Sequence, residues 1–337
     1  MRILTHTRFY PSIGGIETVA LLLVHEWHEA GMEVIVASDV SCMKEQAQSF
    51  SFPVFYRPSL RKWIALLRWC DVYLQFNVSL KATWPLLLIR RPLVVSHHSY
   101  YWLSRDGERD WKERLKLHIA SASSNIFASS AIAKEVGLQG VVIQDPYDDA
   151  LFRPDKAATR DTELAFVGRL VSDKGADQLL QAMARLKARD LVPKLSIIGD
   201  GPERPRLERL CDELNMSDQV RFLGAKPQPE VSVLLRRHRI LVVPSLWAEP
   251  FGVVALEGLA SGCVVVVSDK GGLPEAIGPC GLTFPNGDVM ALAEKLEQVL
   301  VNQDIASKLL AGAESHLAKH QPAFIARRFI EVLQRAL

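Results

Sequence analysis

The feature that most constrains this chain is an alternation, kept from end to end, of short apolar runs with longer stretches of helical period. That pattern reads as parallel α/β units. A parallel sheet buries both faces of its strands, and neighbouring strands need a crossover, usually a helix, between them. A first series of runs comprises Arg2–His6, Val34–Ala37, a short strand near Val54–Tyr56, Val72–Gln75, Leu93–Ser96, Asn125–Ala128 and Val141–Ile143. Ile16, Val19, Ala20, Leu23 and Trp27 recur at helical spacing after the first of them, and Gly31 is a plausible helix stop.

Between Gln144 and Thr162 the alternation breaks at Asp145-Pro146 and Arg153-Pro154-Asp155, as it does in a linker. A second series then starts afresh: Leu164–Val167, Leu195–Ile198, Val220–Phe222, Ile240–Val243, Val264–Ser268 and Leu282–Phe284, with helical patterns such as Gln178–Leu186 and Leu207–Leu214 between them. The expected fold class is α/β with two Rossmann-like, doubly wound parallel sheets, one over residues 1–155 and one over 156–320. A pair of such domains places a cleft at the carboxyl ends of the strands.

The composition agrees. The 337 residues are 48% hydrophobic and 23% charged, enough for two cores. Forty basic residues against thirty-eight acidic ones give a formal net charge of +2, so no overall field grips a polyanion and a nucleic-acid partner is not expected. The five cysteines, Cys42, Cys70, Cys211, Cys263 and Cys280, are scattered and without a C-x-x-C, which favours a reducing compartment. Met1–His6 is too short an apolar segment for a signal peptide, and no window approaches the length of a spanning helix. A cytoplasmic location is expected.

Three segments carry candidate chemistry. Pro11-Ser12-Ile13-Gly14-Gly15-Ile16-Glu17 joins the first strand to the first helix, where two glycines permit close backbone approach and free N–H groups suit an anion. It is not the G-x-G-x-x-G of a dinucleotide site, although Asp39 sits near where a ribose-binding acid would lie. Gly168-Arg169-Leu170-Val171-Ser172-Asp173-Lys174-Gly175 follows the first strand of the second series, and the Arg169 fork with the Lys174 point charge suits a diphosphate. Glu249-Pro250-Phe251-Gly252-Val253-Val254-Ala255-Leu256-Glu257 leads from the fourth strand of that series into a helix starting around Gly252. Its two carboxylates can address different parts of one ligand, while N–H groups from Phe251 to Val254 add donors. An ordinary helix would leave Glu257 on a solvated face.

These motifs occur together and in order with Ser268-Asp269-Lys270-Gly271-Gly272-Leu273-Pro274-Glu275 and Phe284-Pro285-Asn286-Gly287-Asp288. In this combination the chain resembles the retaining, GT-B fold glycosyltransferases of family 4. The resemblance implies that Arg169 and Lys174 grip the donor diphosphate and that Glu257 holds the nucleotide ribose. It also implies that Glu249 lies beside the transferred sugar, whose hydroxyls the N–H groups of Phe251, Gly252 and Val253 would bind. Gly14 and Gly15 fall where backbone approaches the donor phosphates. In Val94-Val95-Ser96-His97-His98-Ser99 the histidine near the reacting centre is His97 or His98, with His98 aligning best. The last segment, 321–337, has Phe324, Ile325, Arg328 and Phe329 at helical spacing, and in this fold such a helix returns to the first domain. Where the family carries P-N-G, this chain has Gln144-Asp145-Pro146-Tyr147-Asp148, and no role follows there.

The implied activity is transfer of a hexose from a nucleoside-diphosphate sugar to an acceptor hydroxyl with retained configuration, in cell-surface polysaccharide or glycoconjugate synthesis. The acceptor would be a glycan, a lipid-linked glycan or a small molecule. No D-x-D occurs, so no metal and no cofactor are expected. Competing classes are a nucleotide-sugar epimerase or hydrolase, which needs no acceptor, and a non-catalytic nucleotide-sugar binder, which could lose Glu249 and His98. A Rossmann oxidoreductase fits least. Basic and aromatic residues near 57–91, including Arg57, Arg61, Lys62, Trp63, Arg68, Trp84, Arg90 and Arg91, allow two readings. One is peripheral contact with an anionic leaflet. The other, preferred, is a crossover helix with a solvated cationic face.

Overall fold

All thirteen runs form strands in the computed structural model, which describes residues 1–9, 14–41, 50–101, 110–155 and 157–337. Each observed strand ends within two residues of the apolar run that announced it. The chain divides into two compact units, 1–146 with 320–337, and 147–319.

In the first unit, β1 (Arg2–His6), β2 (Glu33–Ser38), β3 (Val54–Tyr56), β4 (Val72–Phe76), β5 (Leu93–His97), β6 (Ser124–Phe127) and β7 (Val141–Val142) make one sheet in the order β3-β2-β1-β4-β5-β6-β7. Every adjacent pair is parallel. The order reverses between β1 and β4, the position where doubly wound sheets open toward a ligand. Register puts His6 beside Ala37 and Gln75, so the ends of β1, β2 and β4 share one rim.

β4 is buried along its whole length, as a strand covered on both faces should be. Helix Leu60–Trp69 is the crossover from β3 to β4, with Trp63, Leu66 and Leu67 packed into the core beside Tyr73. Its apolar face is therefore occupied by the sheet. Helix Pro322–Arg335 belongs to this unit as well. It packs on helix Gly15–Glu29, where Trp27 Nε1 donates to the Ala326 carbonyl at 3.1 Å and the Trp27 ring lies 5.8 Å from Phe329.

In the second unit, β8 (Thr162–Val167), β9 (Leu195–Ile198), β10 (Val220–Gly224), β11 (His238–Val243), β12 (Val264–Ser268) and β13 (Gly281–Phe284) run parallel in the order β10-β9-β8-β11-β12-β13. The switch point falls between β8 and β11. Leu164, Ile197, Ile240, Val242 and Val266 share its core with the helix Ala176–Lys187. Among the described residues, no helix is long and apolar enough to cross a membrane. Cys70, Cys211, Cys263 and Cys280 are buried free thiols, and Cys42 lies outside the described residues.

Candidate active site

The motif residues of the second unit gather where β8 and β11 end. Leaving β8, the chain passes Gly168 and an exposed Arg169, whose guanidinium has no ion pair among the described residues. The buried Leu170 then anchors the loop: its N–H donates to the Asp200 carbonyl, and its own carbonyl accepts from Glu203 N–H. This approach is allowed by Gly199 and Gly201. A Cβ at Gly199 would lie 1.8 Å from the Gly168 carbonyl oxygen, and one at Gly201 2.4 Å from that of Leu170. In the sequence, Gly199-Asp200-Gly201-Pro202 carries its own signal, two glycines flanking an acid directly after a strand, outside the three candidate segments.

A short 3₁₀ turn, Ser172–Lys174, follows and is tied to the loop after β11, since Leu246 and Trp247 N–H both donate to the Asp173 carbonyl. Gly175 closes the turn at φ +69°, with its Cα so near the Pro244 carbonyl that no side chain fits. The result brings Lys174 Nζ to 2.6 Å from Glu249 Oε1, while Ser245 Oγ donates to the same oxygen at 2.7 Å. The Ser245 carbonyl in turn accepts from Ser268 Oγ and Asn286 Nδ2. Glu249 itself is bridged to Gly271, and its carbonyl accepts from Gly272 N–H. The two downstream motifs thus hold Glu249 in place from the ends of β12 and β13.

Gly252, at φ +104°, starts helix Val253–Ala260, and the N–H groups of Val253 and Val254 precede its first internal bond. The Phe251 ring is buried. Glu257 is not on a solvated face: it is 8% exposed, and the nearest polar partner assigned to it is Gln228 Nε2 at 3.5 Å. Burial, helped by the charge of Asp148, pushes its carboxyl up to about 7.

In the first unit, Gly14 is in ordinary extended conformation and Gly15 opens the helix Gly15–Glu29. A side chain at Gly15 would project into open space, so local packing does not demand glycine there. Pro11, Ser12 and Ile13 lie outside the described residues.

The histidine doublet separates cleanly. His97 is fully buried and stacked on Phe127, with Nε2 donating to Asn125 Oδ1 at 2.9 Å and Nδ1 accepting from Tyr101 at 2.7 Å. Burial lowers it to about 4, so it is a neutral core residue. His98 stacks on Phe76, places Nδ1 3.0 Å from Asp145 Oδ1 and Nε2 2.8 Å from Ser96 Oγ, and donates its backbone N–H to Asn77 Oδ1. Asp145, in the segment to which the sequence assigned no role, is therefore the carboxylate within ion-pair distance of His98.

These features define a GT-B protein: two Rossmann-like sheets, the second with cations and carboxylates at its strand exits. Anabaena Alr3699/HepE, solved in complex with UDP and glucose, has the same fold, with a TM-score of 0.81 at 19% identity over 99% of this chain and 100% of that one. The profile of the Glycosyl transferases group 1 family matches residues 148–316, and the chain belongs to that family. A D-inositol 3-phosphate glycosyltransferase of Corynebacterium jeikeium is 37% identical over 165 residues, 46% of this chain and 39% of that protein. One of Stackebrandtia nassauensis is 30% identical over 285 residues, 66% of this chain and 64% of its own length. The chain thus spans less than two thirds of these relatives.

Proposed function

We propose that this chain moves a hexose from a nucleoside-diphosphate sugar to an acceptor hydroxyl, with retention and without a metal. The observation that carries the reading is the Lys174–Glu249 pair, with the exposed Arg169 in the same loop as Lys174, at the exits of two adjacent strands. When the bond from C1 to the diphosphate breaks, negative charge grows on the leaving group. Cations already in place stabilise that charge without reorganising. Glu257 is assigned to the ribose, Glu249 and the N–H groups from Phe251 to Val253 to the sugar hydroxyls. In the first unit, Gly14, Gly15 and His98 are assigned to the same reaction.

Glu249 Oε1 already accepts from Lys174 and Ser245, which makes it a poor nucleophile and supports attack on the face the leaving group vacates. A new C1–O bond forms to the acceptor, and its hydroxyl proton leaves on the released nucleoside diphosphate. Two cations supply the charge a metal would otherwise bring, and the sequence carries no D-x-D. Cell-surface glycan or glycoconjugate synthesis, on the cytoplasmic side, is the setting proposed.

A thermal-shift panel of UDP-, GDP- and ADP-hexoses, each with and without EDTA, tests this. One donor should stabilise the protein by about 3 kcal/mol at a hundredfold excess over Kd, undiminished by EDTA. No shift with any donor would refute the assignment.

Peripheral membrane contact is proposed for the surface beside helix Leu60–Trp69 rather than for its buried face. Trp84, Leu87 and Leu88 are exposed there, Leu87 at 85%. Between residues 57 and 91 seven basic residues face one acid, Asp71, which pairs with Arg2. The protein should co-sediment with vesicles containing anionic lipid, and Leu87→Asp should abolish this. Equal sedimentation with neutral vesicles, or none with either, counts against it.

A further inference from the structure

His98, directly after β5, has little freedom left to it. Its side chain is 2% exposed, and its ring stacks on Phe76 with centroids 5.2 Å apart. Its backbone N–H donates to Asn77 Oδ1 at 2.8 Å. Asn77 in turn donates its own N–H to the Ser96 carbonyl from a left-handed backbone, φ +60°, which asparagine tolerates better than most residues. Ring Nε2 lies 2.8 Å from Ser96 Oγ, and ring Nδ1 lies 3.0 Å from Asp145 Oδ1.

Packing alone does not call for an acid at that last position. The adjacent His97 is just as buried, and neutral groups hold it, the Asn125 amide and the Tyr101 hydroxyl. A carboxylate in such surroundings carries a desolvation cost that an amide avoids. Asp145 is 7% exposed, and among the described residues His98 is its one ion-pair partner.

Asp145 is itself fixed from two directions. Pro146 follows it, and a residue before proline is biased toward extended conformations. Its carbonyl lies 3.3 Å from Nδ1 of His320, which is 1% exposed and is the first residue of the segment that rejoins this unit. A carbonyl only accepts, so His320 Nδ1 carries the proton of that contact. The Trp27 contacts with Ala326 and Phe329 seat the same segment on helix Gly15–Glu29.

We propose that Asp145 is a positioning residue for His98: it holds the imidazole as the Nδ1–H tautomer, with Nε2 accepting from Ser96, and His320 holds Asp145. The proposal rests on the transferase reading, which gives His98 its place in the reaction. A neutral imidazole carries one ring proton, and the partner at each nitrogen decides where it sits. An ionised carboxylate accepts only, which puts the proton on Nδ1. An asparagine there can donate its own N–H instead and favour the opposite tautomer.

NMR of the full chain labelled with 15N-histidine reads the tautomer near pH 8, with His98→Gln assigning the His98 signals. Wild type should show His98 protonated at Nδ1 alone. Asp145→Asn, which keeps the size of the side chain, should shift the proton toward Nε2, and His320→Gln should do so in part. The exposed His25 should not change. Nucleotide release from UDP-glucose and GDP-mannose reads the function, with water oxygen bonding to C1 as the bond from C1 to the diphosphate breaks. In Asp145→Asn, kcat should fall about ten- to a hundredfold with donor KM unchanged, the scale of a group displaced by about 1 Å. Because His320 acts through Asp145, the double variant should be no slower than Asp145→Asn alone.

An unchanged His98 spectrum in Asp145→Asn overturns the proposal, as does wild-type kcat in a variant whose tautomer has moved. His320→Gln carries the same test where Asp145→Asn does not fold. Two effects that simply add in the double variant remove His320 from the proposal. Titration of wild type with UDP and GDP is read separately: binding of neither counts against the transferase reading, while the spectrum still decides whether Asp145 holds His98.

Discussion

Lys174→Ala lowers kcat by about two to three orders of magnitude with the preferred donor, and Arg169→Ala does the same, a size typical of removing one preplaced donor to developing charge. The split between parameters is diagnostic. A cation that merely held the ground-state diphosphate would raise KM and spare kcat, whereas one matched to the departing diphosphate lowers kcat. Neither variant should unfold the protein, because both side chains lie in the strand-exit loop and Ser245 still donates to Glu249 when Lys174 is lost. Steady-state rates beside a thermal melt of each variant check this. Wild-type kcat in both would remove Arg169 and Lys174 from the reaction.

The second large effect is on stability. Glu257 titrates near 7 in the folded chain against an ordinary 4.5, so between those values the native state holds a proton that the unfolded state has released. Stability from this group is full below about pH 4.5, falls as pH rises through the window, and is lower by about 3 kcal/mol above pH 7. Glu257→Gln is neutral throughout. Its urea midpoint should exceed that of wild type at pH 8 and match it near pH 4.5, while donor affinity should fall if Glu257 holds the ribose as proposed.

His97, lowered to about 4, acts in the opposite sense, its stabilising effect being lost as pH falls from 6.5 toward 4. The quantity to read is therefore the variant-minus-wild-type difference. A variant less stable than wild type at pH 8 would contradict the burial argument. A gain in stability with a loss in binding is the usual mark of a side chain kept for function.

The strands were legible because parallel sheets bury both faces, leaving continuous apolar runs such as Val264–Val267 that need no knowledge of neighbours. Even the edge strand Val54–Tyr56 showed. The groups proposed for the donor stand in the sequence as spaced motifs. Asp145 was not legible, because its meaning comes from His98, 3.0 Å away in space and in a different segment of sequence. Nor could a doublet say which histidine packs inward: consecutive residues at a strand end point to opposite faces. Only the positions of Phe127 and Asn125 on one side, and Asp145 and Phe76 on the other, separate His97 from His98.

By itself, then, the sequence determined two doubly wound sheets, the break between them, and the kinds of groups at the strand exits of the second. Tertiary structure alone decided that Glu257 is buried with a raised pKa, that Lys174 is held against Glu249, and that Asp39 and Lys81 line two cavities at the rim of the first sheet. The reason is physical. Periodicity reports which face of an element turns inward, a local property. Desolvation and Coulomb interaction depend on separations in space, which are set only when distant strand ends meet on one rim.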